Sequence, residues 1–262
     1  MSFQEGVKVE RRGTVAIVTM SNPERRNAFY PEMRRQLTAT LNALSIETEL
    51  RAVVLTGDGA HFCAGADATR LRQAGTPTPV QARENMKDVA QLLRAIVGGA
   101  KPIIAAVEGD AFAAGFAIAL ACDVVVASRH ARFGSVFTKV GLLPDMGMLY
   151  TLPQRVGPVK ARHLMMLGTP VDGAEAARIG VADEVTEPGQ ALTAALAFAG
   201  RFDEPAPLVV SLIKGALATG VNSIEDAIRL EYDLQPMLAL TQDRTEGMAA
   251  FKEKRKPRFT GR

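Results

Sequence analysis

The sequence predicts an α/β core followed by a helical C-terminal region. Short β-branched runs (Ala52–Thr56, Ile103–Val107, Val124–Ala127) alternate with longer segments of helical period through about residue 140. Beyond that point the apolar residues recur almost throughout at helical spacing. A chain of 262 residues, 47% of them hydrophobic, is long enough to bury a full core.

Taken in order, Val7–Arg11 and Thr14–Met20 flank Gly13 and read as a hairpin. Ser21–Phe29 is a polar loop. Pro31–Leu44 places Met33, Leu37, Leu41 and Leu44 on one helical face. The strand Ala52–Thr56 runs into the glycine loop GDGAHFCAGAD, and Ala66–Leu71 opens a short helix. Arg72–Pro79 is a Gly/Thr/Pro-rich surface loop, and Val80–Val97 is a second long helix. Further helices are expected at Gly147–Gln154, Val159–Met166, Gly173–Ile179, Gln190–Phe202, Ala206–Gly220, Ser223–Thr241 and Asp243–Lys256. The reading divides the chain into an α/β core, residues 1–195, and a helical module, residues 196–262.

Composition narrows the function classes. No apolar run reaches the roughly 18 uncharged residues that a membrane span needs. The N-terminal segment MSFQEGVKVERRG has no apolar signal region, so a cytoplasmic protein is expected. Cys63 and Cys122 form no metal-ligand spacing and sit among small residues as core fillers. No metal site is expected. The net charge of +3 is concentrated in the tail KEKRKPRFTGR, where six basic residues face one acid. Such a local excess suits one compact polyanion and argues against a broad nucleic-acid footprint. It is also what a solvated charge run looks like.

The chemistry-bearing pattern begins at Gly109–Asp123, GDAFAAGFAIALACD. It reads as a strand end, a small-residue turn and a buried helix, and such a turn can aim backbone N–H groups into a cleft. The helix carries no acid, base or nucleophile before Asp123. In Phe62–Asp67, Gly65 allows close backbone approach of a ligand, and Ala66 at a helix start leaves its N–H without a helical partner. Asp67 suits a helix first turn equally well. Gly57-Asp-Gly59-Ala-His-Phe62 fails as a dinucleotide fingerprint, because Phe62 replaces the third glycine. Pro144-Asp145-Met146-Gly147 reads as a turn that starts a helix. Asp145 is either its N-cap or a carboxylate of raised proton affinity among Leu142, Leu143, Met146, Met148 and Leu149. His61, His130 and His163 share no catalytic spacing and read as structural. Glu108 and Asp110 suit turn and cap roles. Lys101 reads as a solvated residue before Pro102.

Five pieces in this order resemble the enoyl-CoA hydratase/isomerase, or crotonase, family. They are Asn27-Ala28, GDGAHFCAGAD, KPIIAAVEGDAFAAGFAIALACD, FGSVFTKVGLLPDMGMLYTLPQRVG and AAFKEKRKPRF. The resemblance implies a spiral of ββα repeats with a C-terminal helical trimerisation region, assembled as a homotrimer or a dimer of trimers. It implies an acyl-CoA thioester as substrate, with coenzyme A entering as part of that substrate and no separate cofactor. Two backbone N–H groups, those of Ala66 and Ala114, would hold the thioester enolate, with Ala114 replacing the usual glycine. Arg25, Arg26, Ala28, Ala64, Gly65 and Asp67 would line the CoA path. Glu24 stands where the family often has lysine. Phe251 and Lys254 would meet the adenine-phosphate end, often on a neighbouring subunit. Leu71–Val89, Phe116, Phe137 and Leu143 would shape the acyl pocket, with Ser135, Thr138 and Tyr150 lining it.

The two glutamates of the family's hydratases fall on Ala117 and Phe137. Asp145 matches the aspartate of several isomerases. The resemblance therefore favours an enoyl-CoA isomerase with Asp145 as its single acid/base. The alternatives are weak hydration, thioester hydrolysis, displacement by Asp145, or a non-catalytic acyl-CoA-binding homologue.

Overall fold

The computed structural model describes residues 6–262; the first five residues of the N-terminal segment read above lie outside them. The strands are β1 (Gly6–Arg12), β2 (Val15–Ser21), β3 (Ala52–Gly57), β4 (Ile103–Val107), β5 (Asp110–Phe112), β6 (Val124–Ser128), β7 (Arg132–Gly134), β8 (Val171–Asp172) and β9 (Glu184–Thr186). The helices are α1 (Pro31–Ser45), α2 (Ala68–Ala74), α3 (Pro79–Val97), α4 (Ala114–Ala121), α5 (Met148–Leu167), α6 (Gly173–Ile179), α7 (Ala191–Ala199), α8 (Pro207–Thr219), α9 (Ile224–Ala239) and α10 (Gln242–Glu253).

Six strands form the main sheet in the order β1-β2-β3-β4-β6-β9. The predicted hairpin is its antiparallel edge, with Arg12 opposite Val15, and every later pairing is parallel. Parallel strands are covered on both faces, which is why β3 and β4 read as unbroken apolar runs. Alternate residues serve different layers. Val53, Leu55, Ile103 and Ala105 join the core under α1, α3 and α4. Val54, Ile104, Ala106 and Val126 join Ala195 and Ala199 of α7 on the opposite face. Residue 195 thus lies inside a helix that covers the sheet.

A second sheet, β5-β7-β8, is smaller. Two single bridges, Cys63 with Ala111 and Phe29 with Ala66, extend its pattern into the glycine loop. With two or three residues each, these strands are too short to show a period.

Helix boundaries follow local chemistry. Pro31 and Pro79 occupy first-turn positions where their missing N–H costs nothing. Thr78 and Gln81 form a reciprocal capping box at α3. α2 begins at Ala68 rather than Ala66 because Asp67 is its N-cap, and it continues to Ala74, leaving only residues 75–78 as loop. The two helices predicted across residues 147–166 are the two arms of α5, interrupted where Gly157 leaves helical geometry ahead of Pro158.

Helix α8 and the chain end are pinned to the core by polar contacts. Lys214 Nζ of α8, which is buried, lies 2.6 Å from Asp123 and donates to the carbonyl of Lys101 at 2.9 Å. Lys101 is itself half-buried, not fully solvated as expected, and burial lowers its ammonium proton affinity. The chain end folds back: Asp243 accepts from the N–H groups of Thr260 and Gly261, and Arg51 donates to the carbonyl of Phe259. Among the described residues no helix is long and apolar enough to cross a membrane.

Candidate active site

Two backbone turns come together where β5 meets the glycine loop. The Phe29–Ala66 bridge uses the carbonyl of Gly65, 2.7 Å from Phe29 N, and the N–H of Asp67, 3.0 Å from Phe29 O. Successive backbone groups of a strand point to opposite sides, so the N–H of Ala66 faces away from this bridge. No hydrogen bond among the described residues uses it. Ala114 is the first residue of α4, so its N–H has no intrahelical partner either. The residue before it, Ala113, sits at φ 46°, ψ −114°, a strained conformation for alanine. Its N–H donates to Gly134 O at 2.9 Å, which anchors the turn to β7.

Glycine lets the two turns touch. Gly65 has φ +98°, and a Cβ there would lie 3.1 Å from Phe112 O and 3.2 Å from the Ala113 Cβ. Gly115, in the first turn of α4, packs directly on the backbone of Cys63 and leaves no room for a Cβ. Cys63 in turn donates to Asp110 O and accepts from Phe112 N.

Charged side chains brace this backbone. Asp110, 1% exposed, accepts from Arg132 Nε at 2.8 Å and Arg26 Nη1 at 3.1 Å, and its N–H donates to His61 Nδ1 at 3.1 Å. Asp67 accepts from the N–H groups of Thr69 and Arg70, as an N-cap does, and lies 3.4 Å from Arg25 Nη1. Glu108 accepts from the N–H of Ala191 at the start of α7. Cys63 and Cys122 are buried, and burial pushes both thiols up to about 12.

The predicted CoA-path residues form one strip. Ala64 N donates to Arg26 O at 3.0 Å, Ala28 N donates to Arg25 O, and Gly65 and Asp67 bridge to Phe29. Arg26 is largely exposed while paired to Asp110. Phe251 and Lys254 stand at the end of α10, the first 83% exposed; no hydrogen bond or ion pair joins them to the strip among the described residues. Part of the basic tail is internally paired: Arg255 with Glu246 and Glu253, and Lys256 with Glu204.

Asp145 does not cap a helix. The N-cap of α5 is Gly147, without a side-chain bond, and it is the Asp145 carbonyl that accepts from Met148 N, at 3.1 Å. Met146 at φ 51° and Gly147 at φ 75° turn the chain sharply there. The carboxylate is half-buried, and its Oδ1 is fully enclosed with no hydrogen-bond partner. Desolvation raises its proton affinity, opposed by a hydrogen bond from its own backbone and by Arg34. The apolar surroundings differ from expectation: Met146 and Met148 are buried, but Leu142, Leu143 and Leu149 face outward. Ala117 and Phe137 are both buried. Ser135 is buried with an unpartnered Oγ, whereas Thr138 and Tyr150 are exposed.

A cavity of about 610 Å³ opens beside the strip, lined by Phe29, Tyr30, Asp67 and Arg70 on one side and Asn85 and Asp88 of α3 on the other. Ala114 and Asp145 do not line it. The Arg34 guanidinium of α1 contacts Asn85 and Asp88 in the cavity lining. A larger cavity of about 740 Å³ lies between α10 and the chain end, but its Asp243, Glu246 and Arg255 already satisfy one another or the tail backbone. Arg34 was not singled out from sequence. Its signal was present, because it shares a helical face with Leu37, Thr38 and Leu41, all buried.

The largely parallel sheet and the helices around it match a known architecture. The enoyl-CoA hydratase/isomerase family model matches residues 10–262, and the chain belongs to that family. It is therefore an acyl-CoA-processing enzyme with the crotonase fold. It is 34% identical to the (E)-benzylidenesuccinyl-CoA hydratase of Thauera aromatica, over 97% of this chain and 99% of that one. It is 33% identical to the 1,2-epoxyphenylacetyl-CoA isomerase of Escherichia coli, over 95% of each. The crystal structure of an enoyl-CoA hydratase from Polaromonas sp. JS666 superposes with TM-score 0.91 at 35% identity, covering 97% of this chain and 99% of that one. Relatives named as hydratases outnumber those named as isomerases.

Proposed function

We propose that this enzyme isomerises an unsaturated acyl-CoA, moving its double bond through a thioester enolate. The observation that carries the reading is the half-buried Asp145 carboxylate, whose enclosed Oδ1 has no hydrogen-bond partner; buried Ala117 and Phe137, at the places the resemblance gives to the hydratases' glutamates, support it. Asp145 takes a proton from one carbon of the acyl chain. The freed electron pair shifts the double bond and places negative charge on the thioester oxygen. The N–H groups of Ala66 and Ala114 hold that charge. Protonated Asp145, its proton open to exchange with water, then protonates the other end of the conjugated unit, and no atom is gained or lost. One such amide donor typically contributes about 2.7–4 kcal/mol to a transition state. Adding water needs a second group to activate it, and neither Ala117 nor Phe137 offers one. Coenzyme A enters with the substrate, along Arg25–Ala28 and Ala64–Asp67, and no other cofactor is used.

The reading includes an assembly. Tyr232 and Met237 of α9, Leu240 just beyond it and Phe251 of α10 are each at least 67% exposed, which supports a homotrimer or a dimer of trimers. Phe251 and Lys254 would then serve a neighbour's adenine-phosphate site.

Hydration is the second reading, favoured by the relatives' names. A panel of 2- and 3-enoyl-CoA esters, with products read by mass spectrometry, separates the two. Isomerisation yields a product of unchanged mass with a shifted double bond. A product heavier by one water, formed at comparable speed, overturns the proposal.

A further inference from the structure

The amides of Ala66 and Ala114 belong to separate stretches of chain, and one buried carboxylate ties the two stretches together. Asp110 divides its oxygens between them. Oδ2 accepts from Arg26 Nη1 at 3.1 Å, and the Arg26 carbonyl accepts from Ala64 N at 3.0 Å, two residues before Ala66. Oδ1 accepts from Arg132 Nε at 2.8 Å and from Arg132 Nη2 at 2.5 Å. Arg132 opens β7, and the parallel register sets it opposite Asp110. Two residues further along that strand, Gly134 O accepts from Ala113 N, next to Ala114. The main chain of Asp110 adds to the knot: its carbonyl accepts from Cys63 N at 2.9 Å.

The backbone held in this way is strained. Five non-glycine residues among the described ones have positive φ, and three of them, Arg26, Asn27 and Ala113, flank the two turns. Such conformations persist only where the surroundings over-determine them. Asn27 is fixed by its own side chain, which donates to the carbonyls of Asp58 and His61. The Arg26 side chain is held by Asp110, and Ala113 is held by the strand that Arg132 opens.

We propose that Asp110 and Arg132 are positioning residues for the oxyanion site: their ion pair, shared with Arg26, fixes the Ala66 and Ala114 amides at the separation that spans one thioester oxygen. The inference rests on those two amides being the donors to the enolate. A carboxylate accepts on both sides, so one oxygen can serve each arm. A side-chain amide accepts on one side only and offers N–H groups on the other. Asparagine at position 110 therefore keeps the size of the side chain but releases one arm, and the strained turn on that arm relaxes. Donors act on a developing charge only where they are aimed at it, and a misplacement of about 1 Å can cost about 10²-fold in rate.

The test compares wild type with Asp110→Asn, Arg132→Gln, Arg132→Lys and the double variant Asp110→Asn/Arg132→Gln. Three readouts are taken: kcat on an enoyl-CoA ester that wild type turns over, thermal stability, and the infrared carbonyl stretch of a bound saturated acyl-CoA ester labelled with ¹³C at its thioester carbon. Wild type is expected to lower that stretch below its value in the free ester, as two hydrogen bonds to the oxygen do. Asp110→Asn and Arg132→Gln are expected to return it toward the free value and to lower kcat on the order of 10²-fold. Arg132→Lys, which keeps a cation beside Asp110, recovers part of both. The double variant loses about as much as either single one, because both break the same link. If the single variants lower the melting temperature but leave kcat and the carbonyl stretch in place, the cluster is only structural and the proposal is overturned. Arg132→Gln, at a side chain 56% exposed, gives that answer even where Asp110→Asn does not fold. Failure of the underlying oxyanion reading looks different: the carbonyl stretch does not move when the ester binds to wild type.

Discussion

The glycine-loop turns and the Asp145 turn solve opposite problems. Around Ala66 and Ala114, side chains hold the backbone: Asp67 caps α2, and Asp110 gathers Arg26, Arg132 and His61. What is left over is two backbone N–H groups. Around Asp145 the backbone holds a side chain: its carbonyl is taken by Met148, two successive positive-φ residues turn the chain, and a carboxylate is left over. The comparison teaches where to look for chemistry in this fold. Each region leaves polar groups unsatisfied, and those that would act on a thioester are among them, beside others such as Ser135 Oγ.

Breaking the Asp145 side of the comparison should have the largest effect. Asp145→Asn keeps the shape of the turn but removes the proton carrier, and kcat on an isomerisable enoyl-CoA should fall by about 10²–10⁴-fold, as for a lost general base. Breaking the opposite side acts on structure first. Gly115→Ala drives a methyl into the Cys63 backbone and should destabilise the fold by about 1–3 kcal/mol in urea titration. Asp67→Ala removes a helix cap and should cost about 0.5–2 kcal/mol.

The smallest effect concerns stability against pH. The folded-state proton affinity of Asp145 is raised by burial, so the native state binds its proton more tightly than the unfolded chain does. That contribution is fully present below the ordinary carboxylate range and is lost as pH rises through the raised value. Asp145→Asn should therefore melt higher than wild type at neutral pH, and the gap should close on acidification. A gap that widens in acid would mean that the carboxylate is stabilised in the fold and not strained by it.

Much of this arrangement was legible in the sequence because it rests on period and punctuation. The hairpin at Gly13, the strands Ala52–Thr56 and Ile103–Val107, and the break in α5 at Gly157-Pro158 each follow from local rules. The strands β5, β7, β8 and β9 do not, since two or three residues cannot display alternation and their pairing comes from distant segments. The start of α2 was misplaced by two residues because Asp67 reads equally well as cap or first turn. At the site, the turns around Ala66 and Ala114 were marked by small residues. Asp145 was marked by its apolar neighbours, although three of those five turn outward. Arg34 carried only a helical-face signal, because what distinguishes it is a relation to Asn85 and Asp88 on α3, some fifty residues away.

The central claim is that Asp145 alone moves the proton while paired amides hold the enolate. Its most direct test is turnover of a 3-enoyl-CoA ester in heavy water, comparing wild type with Asp145→Asn by mass spectrometry of substrate and product. The account predicts deuterium entering at the acyl carbons with wild type, no added oxygen, and no exchange with the variant. Exchange that persists in Asp145→Asn, or a hydrated product from wild type, would contradict it.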